Sequence, residues 1–268
     1  MRQEYYEAER RKWDAIAAGR DDDSLWVRDR DFDAYCARAA TMDGVAAFLG
    51  DLHGAQVLEP GCGMGELTTL LALSGARVTA LDISSGSVEV AARRARLHGV
   101  SDRCSFVVGE AERLPFADGS FDVVVGKAVL HHLDVALAAA ELERVMRPGA
   151  RAAFTEPLGT NPVLGWARDH IPYPGKNPVG DDEPLTDEVL VAWQGPFEFA
   201  SKREIQLLSM AGRALGRRPP AWLVRADDAL LARFPRLRRY CRYVVLTMRK
   251  AEANEPRLTH RPVASSGL

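Results

Sequence analysis

A chain of 268 residues with 47% hydrophobic content is long enough to bury a full core and suits one α/β unit with accessory segments. Thirty-five basic against 37 acidic side chains leave a formal charge of −2, which argues against a nucleic-acid backbone as the main partner. No apolar run reaches spanning length, the start MRQEYYEAERRKWDAI is charged throughout, and Cys36, Cys62, Cys104 and Cys241 lack metal-ligand spacing. A soluble, cytoplasmic protein with reduced thiols, no membrane insertion and no metal is expected.

In chain order, residues 1–50 mix charge with aromatics and then become amphipathic, which predicts helices capping a core. From Gln56 the pattern changes to short apolar runs, QVLEP, ARVTALD, RCSFVVG, FDVVVG and ARAAFTEP, separated by helical stretches. Ser84 opens one helix that Gly99 ends; Asp134 opens another that Pro148 and Gly149 end, with Val135, Ala138, Leu142 and Val145 on one face. Strands alternating with helices build right-handed β-α-β units, hence a doubly wound, mostly parallel sheet covered on both sides.

Residues 157–184 are rich in proline and glycine and too long for an ordinary connection, which predicts a substrate loop. Beyond it the pattern predicts a short helix near Thr186–Trp193, a strand near Phe197–Phe199, an arginine-rich helical stretch, and a final edge strand in YCRYVVLTMRK. The expected organisation is a helical cap at 1–50, a seven-stranded α/β domain at 51–250 with substrate-binding insertions at 157–195 and 202–238, and a disordered tail at 251–268.

Ligands of such sheets bind beyond the carboxyl ends of the strands. After the first strand comes Glu59-Pro-Gly61-Cys-Gly63-Met-Gly65, whose glycines permit a tight turn and a close backbone approach at a helix N-terminus. A dinucleotide fingerprint would need its third glycine at Glu66, so this spacing disfavours a nicotinamide cofactor. Asp82, ending the second strand, is placed to accept from two ribose hydroxyls, a role any nucleoside cofactor requires. Taken singly, Glu59 and Asp82 would also serve as helix caps.

With GEAERLPFADGSFDVVVGKAVLHHLD at 109–134 in the same order and spacing, the chain from about Val57 to Pro157 resembles the class I S-adenosylmethionine-dependent methyltransferases. The resemblance implies that Gly61, Gly63 and Gly65 line the methionine and ribose part of the donor, that Glu59 serves its ammonium group, and that Asp82 holds its ribose. It further implies that Ile83 packs on adenine, with Glu110 and the Ala111 backbone meeting the ring edge. The family more often has aspartate where this chain has Glu110. It more often has a small or amide residue where this chain has Lys127, whose backbone carbonyl would face the donor while the stem packs and the ammonium points to solvent or to an acidic substrate. The product would be S-adenosylhomocysteine.

Methyl transfer needs alignment and exclusion of water more than a strong catalytic constellation. A hydroxyl or protonated amine needs a base as well, and His131 and His132, following the fourth strand, are the candidates, or else they only shape the pocket. Glu156 after the fifth strand either orients substrate or bonds nearby amides, while Asp181, Asp182 and Glu183 read as a solvated turn. Tyr5 and Tyr6, with Trp13 on the same helix, and Trp166 and Tyr173 are candidates to contact a partly apolar acceptor, or else they are ordinary core material. The expected function is methylation of a small molecule, oxygen favoured over nitrogen and carbon, by a monomer or homodimer. High alanine and arginine usage points to bacterial specialised metabolism by association. The alternatives are a rearrangement or cyclisation on the same fold, and, ranked last because the glycine loop is intact, a non-catalytic partner subunit.

Overall fold

The computed structural model describes residues 2–170, 185, 186, 189, 190, 193, 197–214 and 219–252. Three helices, α1 (Arg2–Ala18), α2 (Phe32–Arg38) and α3 (Val45–Leu49), precede an alternation of β1 (Gln56–Pro60), α4 (Glu66–Leu73), β2 (Arg77–Asp82), α5 (Ser85–Leu97), β3 (Cys104–Val108), β4 (Phe121–Lys127), α6 (Val135–Val145) and β5 (Met146–Pro157). After β5 follow α7 (Pro162–His170), β6 (Glu198–Ile205), α8 (Ala221–Arg233) and β7 (Tyr243–Arg249).

The seven strands lie in the order β3-β2-β1-β4-β5-β7-β6. Pairings from β3 to β5 are parallel, and β7 is antiparallel to both β5 and β6. Because β3 and β4 lie on opposite sides of β1, the winding reverses between β1 and β4, and the loops leaving those two strands diverge to open a crevice.

Side chains alternate between two buried layers. Leu58, Leu81, Val124, Ala152 and Phe154 face Ala138, Ala139, Leu142 and Val145 of α6. Their strand neighbours Val57, Val78, Val123, Val125 and Ala153 face Leu67, Leu70 and Leu71 of α4, with Phe32 and Tyr35 of α2 and Val45 and Leu49 of α3 behind. The caps expected at Ser84 and Asp134 are formed: Ser84 Oγ accepts from Ser87 N at 2.9 Å, and the Asp134 carboxylate accepts from Ala136 N and Leu137 N. Gly99, at φ 68°, follows the end of α5. α6 ends at Val145 with Met146 as its cap, as the sequence suggests, and Pro148 and Gly149 lie at the start of β5.

The last strand corrects an expectation. β7 is not at an edge but is inserted between β5 and β6, and Val244 to Met248 are all buried, as a strand covered on both faces requires. The edges are β3, whose residues are half-buried or exposed, and β6, which extends to Ile205, so residues 202–205 belong to the sheet rather than to an insertion. The helix expected over Thr186–Trp193 and the tail beyond Glu252 lie wholly or largely outside the described residues.

Candidate functional site

The crevice between β1 and β4 is a cavity of about 440 Å³. Its floor comes from the glycine turn, its sides from the ends of β2 and β4 and from residues 109–112, and its cover from Tyr5, Tyr6, Glu9 and Trp13 of α1.

Each part is fixed by the local sequence. Gly61, Gly63 and Gly65 have φ of 65°, 49° and 74°, the left-handed region that a side chain disfavours. They turn the chain from β1 into α4 within five residues. The turn is tied to β2, because Cys62 N donates to Leu81 O at 3.0 Å and Gly63 N to Asp82 Oδ2 at 2.8 Å. Space beside Gly63 is open, whereas a Cβ on Gly61 would stand 2.2 Å from Val129 Cγ2.

Gly65 is absent from the cavity wall. A Cβ there would lie 2.7 Å from Ala91 Cβ and 2.8 Å from Ala91 Cα, so this glycine lets α4 and α5 approach each other instead of making room for a ligand. Gly65→Val combines left-handed strain with overpacking, and a loss of about 2–5 kcal/mol in denaturant unfolding is the expected result. An unchanged midpoint would refute the packing role.

Two buried carboxylates flank the turn. Glu59 accepts from Thr68 Oγ1 at 2.5 Å, and burial pushes its carboxyl up to about 8. Asp82 accepts from Ser84 N at 2.9 Å besides Gly63 N; burial raises its carboxyl, and those amides hold it back. Ile83, Glu110 and Ala111 line the cavity along with Asp82.

The ammonium of Lys127 does not point freely to solvent. It donates to Tyr35 Oη at 2.6 Å, and Tyr35 is buried under the domain by α2. Lys127 and Tyr35 both line the cavity.

The two histidines have different surroundings. His131 Nδ1 is 2.7 Å from Glu156 Oε2, and His131 does not line the cavity. Glu156 has no exposed surface, and its Oε1 accepts from Val129 N at 2.9 Å and Leu130 N at 3.0 Å. This carboxylate therefore clamps the turn after β4 and is shielded from any ligand. His132 does line the cavity, with Nδ1 3.2 Å from the Tyr5 hydroxyl. Of the aromatic candidates, Tyr5 and Tyr6 are in the wall; Trp166, 58% exposed on α7 and stacked on His170, does not line the cavity. Tyr173 and the acidic run Asp181, Asp182 and Glu183 lie outside the described residues.

Sequence reading missed Glu9 and Glu112. Glu112 accepts from the Tyr6 hydroxyl at 2.5 Å and from Asp134 N at 2.8 Å, pinning α1 to the start of α6. Glu9 was detectable, since it stands one helical turn from both Tyr5 and Trp13 on the same face.

Residues 58–154 match the family described as a methyltransferase domain. This segment is a class I S-adenosylmethionine-dependent methyltransferase domain. The methyltransferase GfsG of Streptomyces halstedii is 39% identical over 105 residues, 38% of this chain and 38% of that one. The matched part thus spans about two-fifths of that relative's length. Among solved structures, the geranyl diphosphate C-methyltransferase of Streptomyces coelicolor A3(2) superposes with a TM-score of 0.63 at 17% identity, covering 92% of this chain and 98% of that one. The cyclase SpnF superposes at 0.57 and 23% identity over 82% and 83%. At these identities the two superpositions establish the fold of the methyltransferase domain. No helix among the described residues is long and apolar enough to cross a membrane.

Proposed function

We propose that this chain binds S-adenosylmethionine in the crevice and transfers its methyl group to a small, partly apolar acceptor, with oxygen favoured over nitrogen and carbon. The reading rests on one arrangement above all: two buried carboxylates, Glu59 and Asp82, on either side of a glycine turn whose open position at Gly63 leaves room for a ligand. The residues present fit the donor. Asp82 would accept from its ribose, Glu59 would face its ammonium group, Ile83 and Ala111 would enclose its base, and Glu110 would meet the base's amino group.

The bound donor supplies a methyl carbon already activated by a positive sulfur. The chain's own part is then to align the acceptor, exclude water under α1 and take a proton where the acceptor carries one. In this reading residues 1–50 are the cap and 51–250 the catalytic domain, the Streptomyces relative supports a bacterial setting, and specialised metabolism is the proposed one.

Titration calorimetry tests the donor assignment. S-adenosylhomocysteine should bind in the low micromolar range or tighter, about −7 to −9 kcal/mol, while NAD gives no heat. Absence of heat and of thermal shift at millimolar S-adenosylhomocysteine would overturn it. Donor binding without label transfer from methyl-labelled S-adenosylmethionine to any of a panel of phenols, alcohols and amines would favour a rearrangement or cyclisation instead.

A further inference from the structure

Glu9 is a carboxylate in the cavity wall that donor binding does not employ. It projects from α1 and is 5% exposed; its Oε1 accepts from Lys12 Nζ at 3.1 Å and its Oε2 from Trp13 Nε1 at 3.0 Å. The same Oε2 stands 3.6 Å from His132 Nδ1, and the Tyr5 hydroxyl stands 3.2 Å from that nitrogen on the same side.

This surrounding decides where the neutral imidazole keeps its proton. A lone pair on Nδ1 would face the Glu9 carboxylate oxygen inside a poorly solvated wall and be repelled, whereas an N–H there is attracted to it; the Tyr5 hydroxyl serves either form, accepting from an N–H or donating to a lone pair. The nitrogen that bears the proton is set by the partner it meets, and the other is left as the acceptor. His131, whose ring centroid is 4.1 Å from that of His132, is already engaged by Glu156, so it does not compete for Glu9. Glu112, another carboxylate in the cavity wall, accepts from Tyr6 and Asp134 N.

We propose that Glu9 is a positioning residue that holds His132 as its Nδ1–H tautomer, leaving Nε2 unprotonated as the base for the acceptor. The last step rests on the methyl-transfer reading. There the acceptor oxygen bonds the methyl carbon as the carbon–sulfur bond breaks and sulfur keeps the electron pair. The hydroxyl proton passes to Nε2, and the resulting imidazolium is balanced by the Glu9 carboxylate until the proton is released to water. Since Glu9 and Tyr5 both belong to α1, the base is complete only when that helix is seated over the crevice.

The tautomer is measurable with neither donor nor acceptor. In the full chain labelled with 15N-histidine at about pH 8, above the ordinary imidazole range, two-bond 15N–1H spectra distinguish the protonated from the bare nitrogen of each ring, with His132→Gln giving the assignment. His132 should show N–H character at Nδ1. Glu9→Leu should shift it to the Nε2–H form that free imidazole prefers, and Tyr5→Phe should leave it at Nδ1. An Nε2–H form in the unaltered protein overturns the proposal whether or not the variants fold. So does a Glu9→Leu spectrum like the parent's, or a shift on Tyr5→Phe alone. The donor reading fails separately, by absence of heat with S-adenosylhomocysteine.

Discussion

Asp82→Ala will weaken S-adenosylhomocysteine binding by about 100-fold or more, because two hydrogen bonds to a charged acceptor contribute roughly 1.5–3 kcal/mol each and 1.4 kcal/mol is a factor of ten. The structure adds a second effect. The same carboxylate accepts from Gly63 N and Ser84 N, so its removal unpairs two amides and loosens the glycine turn from β2. The variant should therefore unfold at lower temperature as well, by a few degrees for each kcal/mol lost. Asp82→Asn separates the two: its single carbonyl oxygen still takes one amide, so stability should recover more than affinity. Calorimetry with thermal unfolding on both variants checks this, and a folded Asp82→Ala protein with parental affinity would refute the ribose role.

The second large effect is on pH. With its carboxyl pushed up to about 8 by burial, Glu59 is neutral in the ligand-free protein around pH 6–7. An ammonium group beside it favours the carboxylate, so binding must expel a proton. Affinity for S-adenosylhomocysteine should then rise about tenfold per pH unit between roughly pH 6 and 7.5 and level off above 8. The sign for the free protein is opposite. A carboxyl raised above its ordinary value of 4.5 favours folding below that value and loses this contribution as pH rises through about 8, so ligand-free stability declines across the window in which binding tightens. Calorimetry in buffers of different ionisation heat should register about one proton released near pH 6.5, and none for Glu59→Gln. Equal affinity at pH 6 and 7.5 with no proton release would show that Glu59 does not meet the ammonium group.

What was legible in the sequence was local. The runs QVLEP and FDVVVG are bounded by turn residues, and Ser84 and Asp134 carry their own capping chemistry, so β1 to β5, α5 and α6 follow from a few consecutive residues. The seat of β7 is not local: VVLTM describes a buried strand equally well wherever it lies in the sheet, and only pairing with Thr155 on one side and Arg203 on the other decides. Gly65 illustrates the same limit, since a glycine needed for Ala91 has the same sequence signature as one needed for a ligand. Lys127 finds Tyr35 from 92 positions away, and Glu156 reaches back to the turn at Val129, so neither orientation was available from spacing.

The hold on α1 bears on how the crevice is filled and emptied. Asp14 Oδ1 accepts from Ser84 Oγ at 2.6 Å and from Gly86 N at 2.8 Å, and Ser84 N in turn donates to Asp82. The latch of the covering helix and Asp82, the carboxylate proposed to hold the ribose, thus belong to one hydrogen-bonded strip at the end of β2. If the donor sits beneath α1, release of that latch and release of the spent donor would be coupled through the same few hydrogen bonds, and turnover would inherit the pace of a hinge.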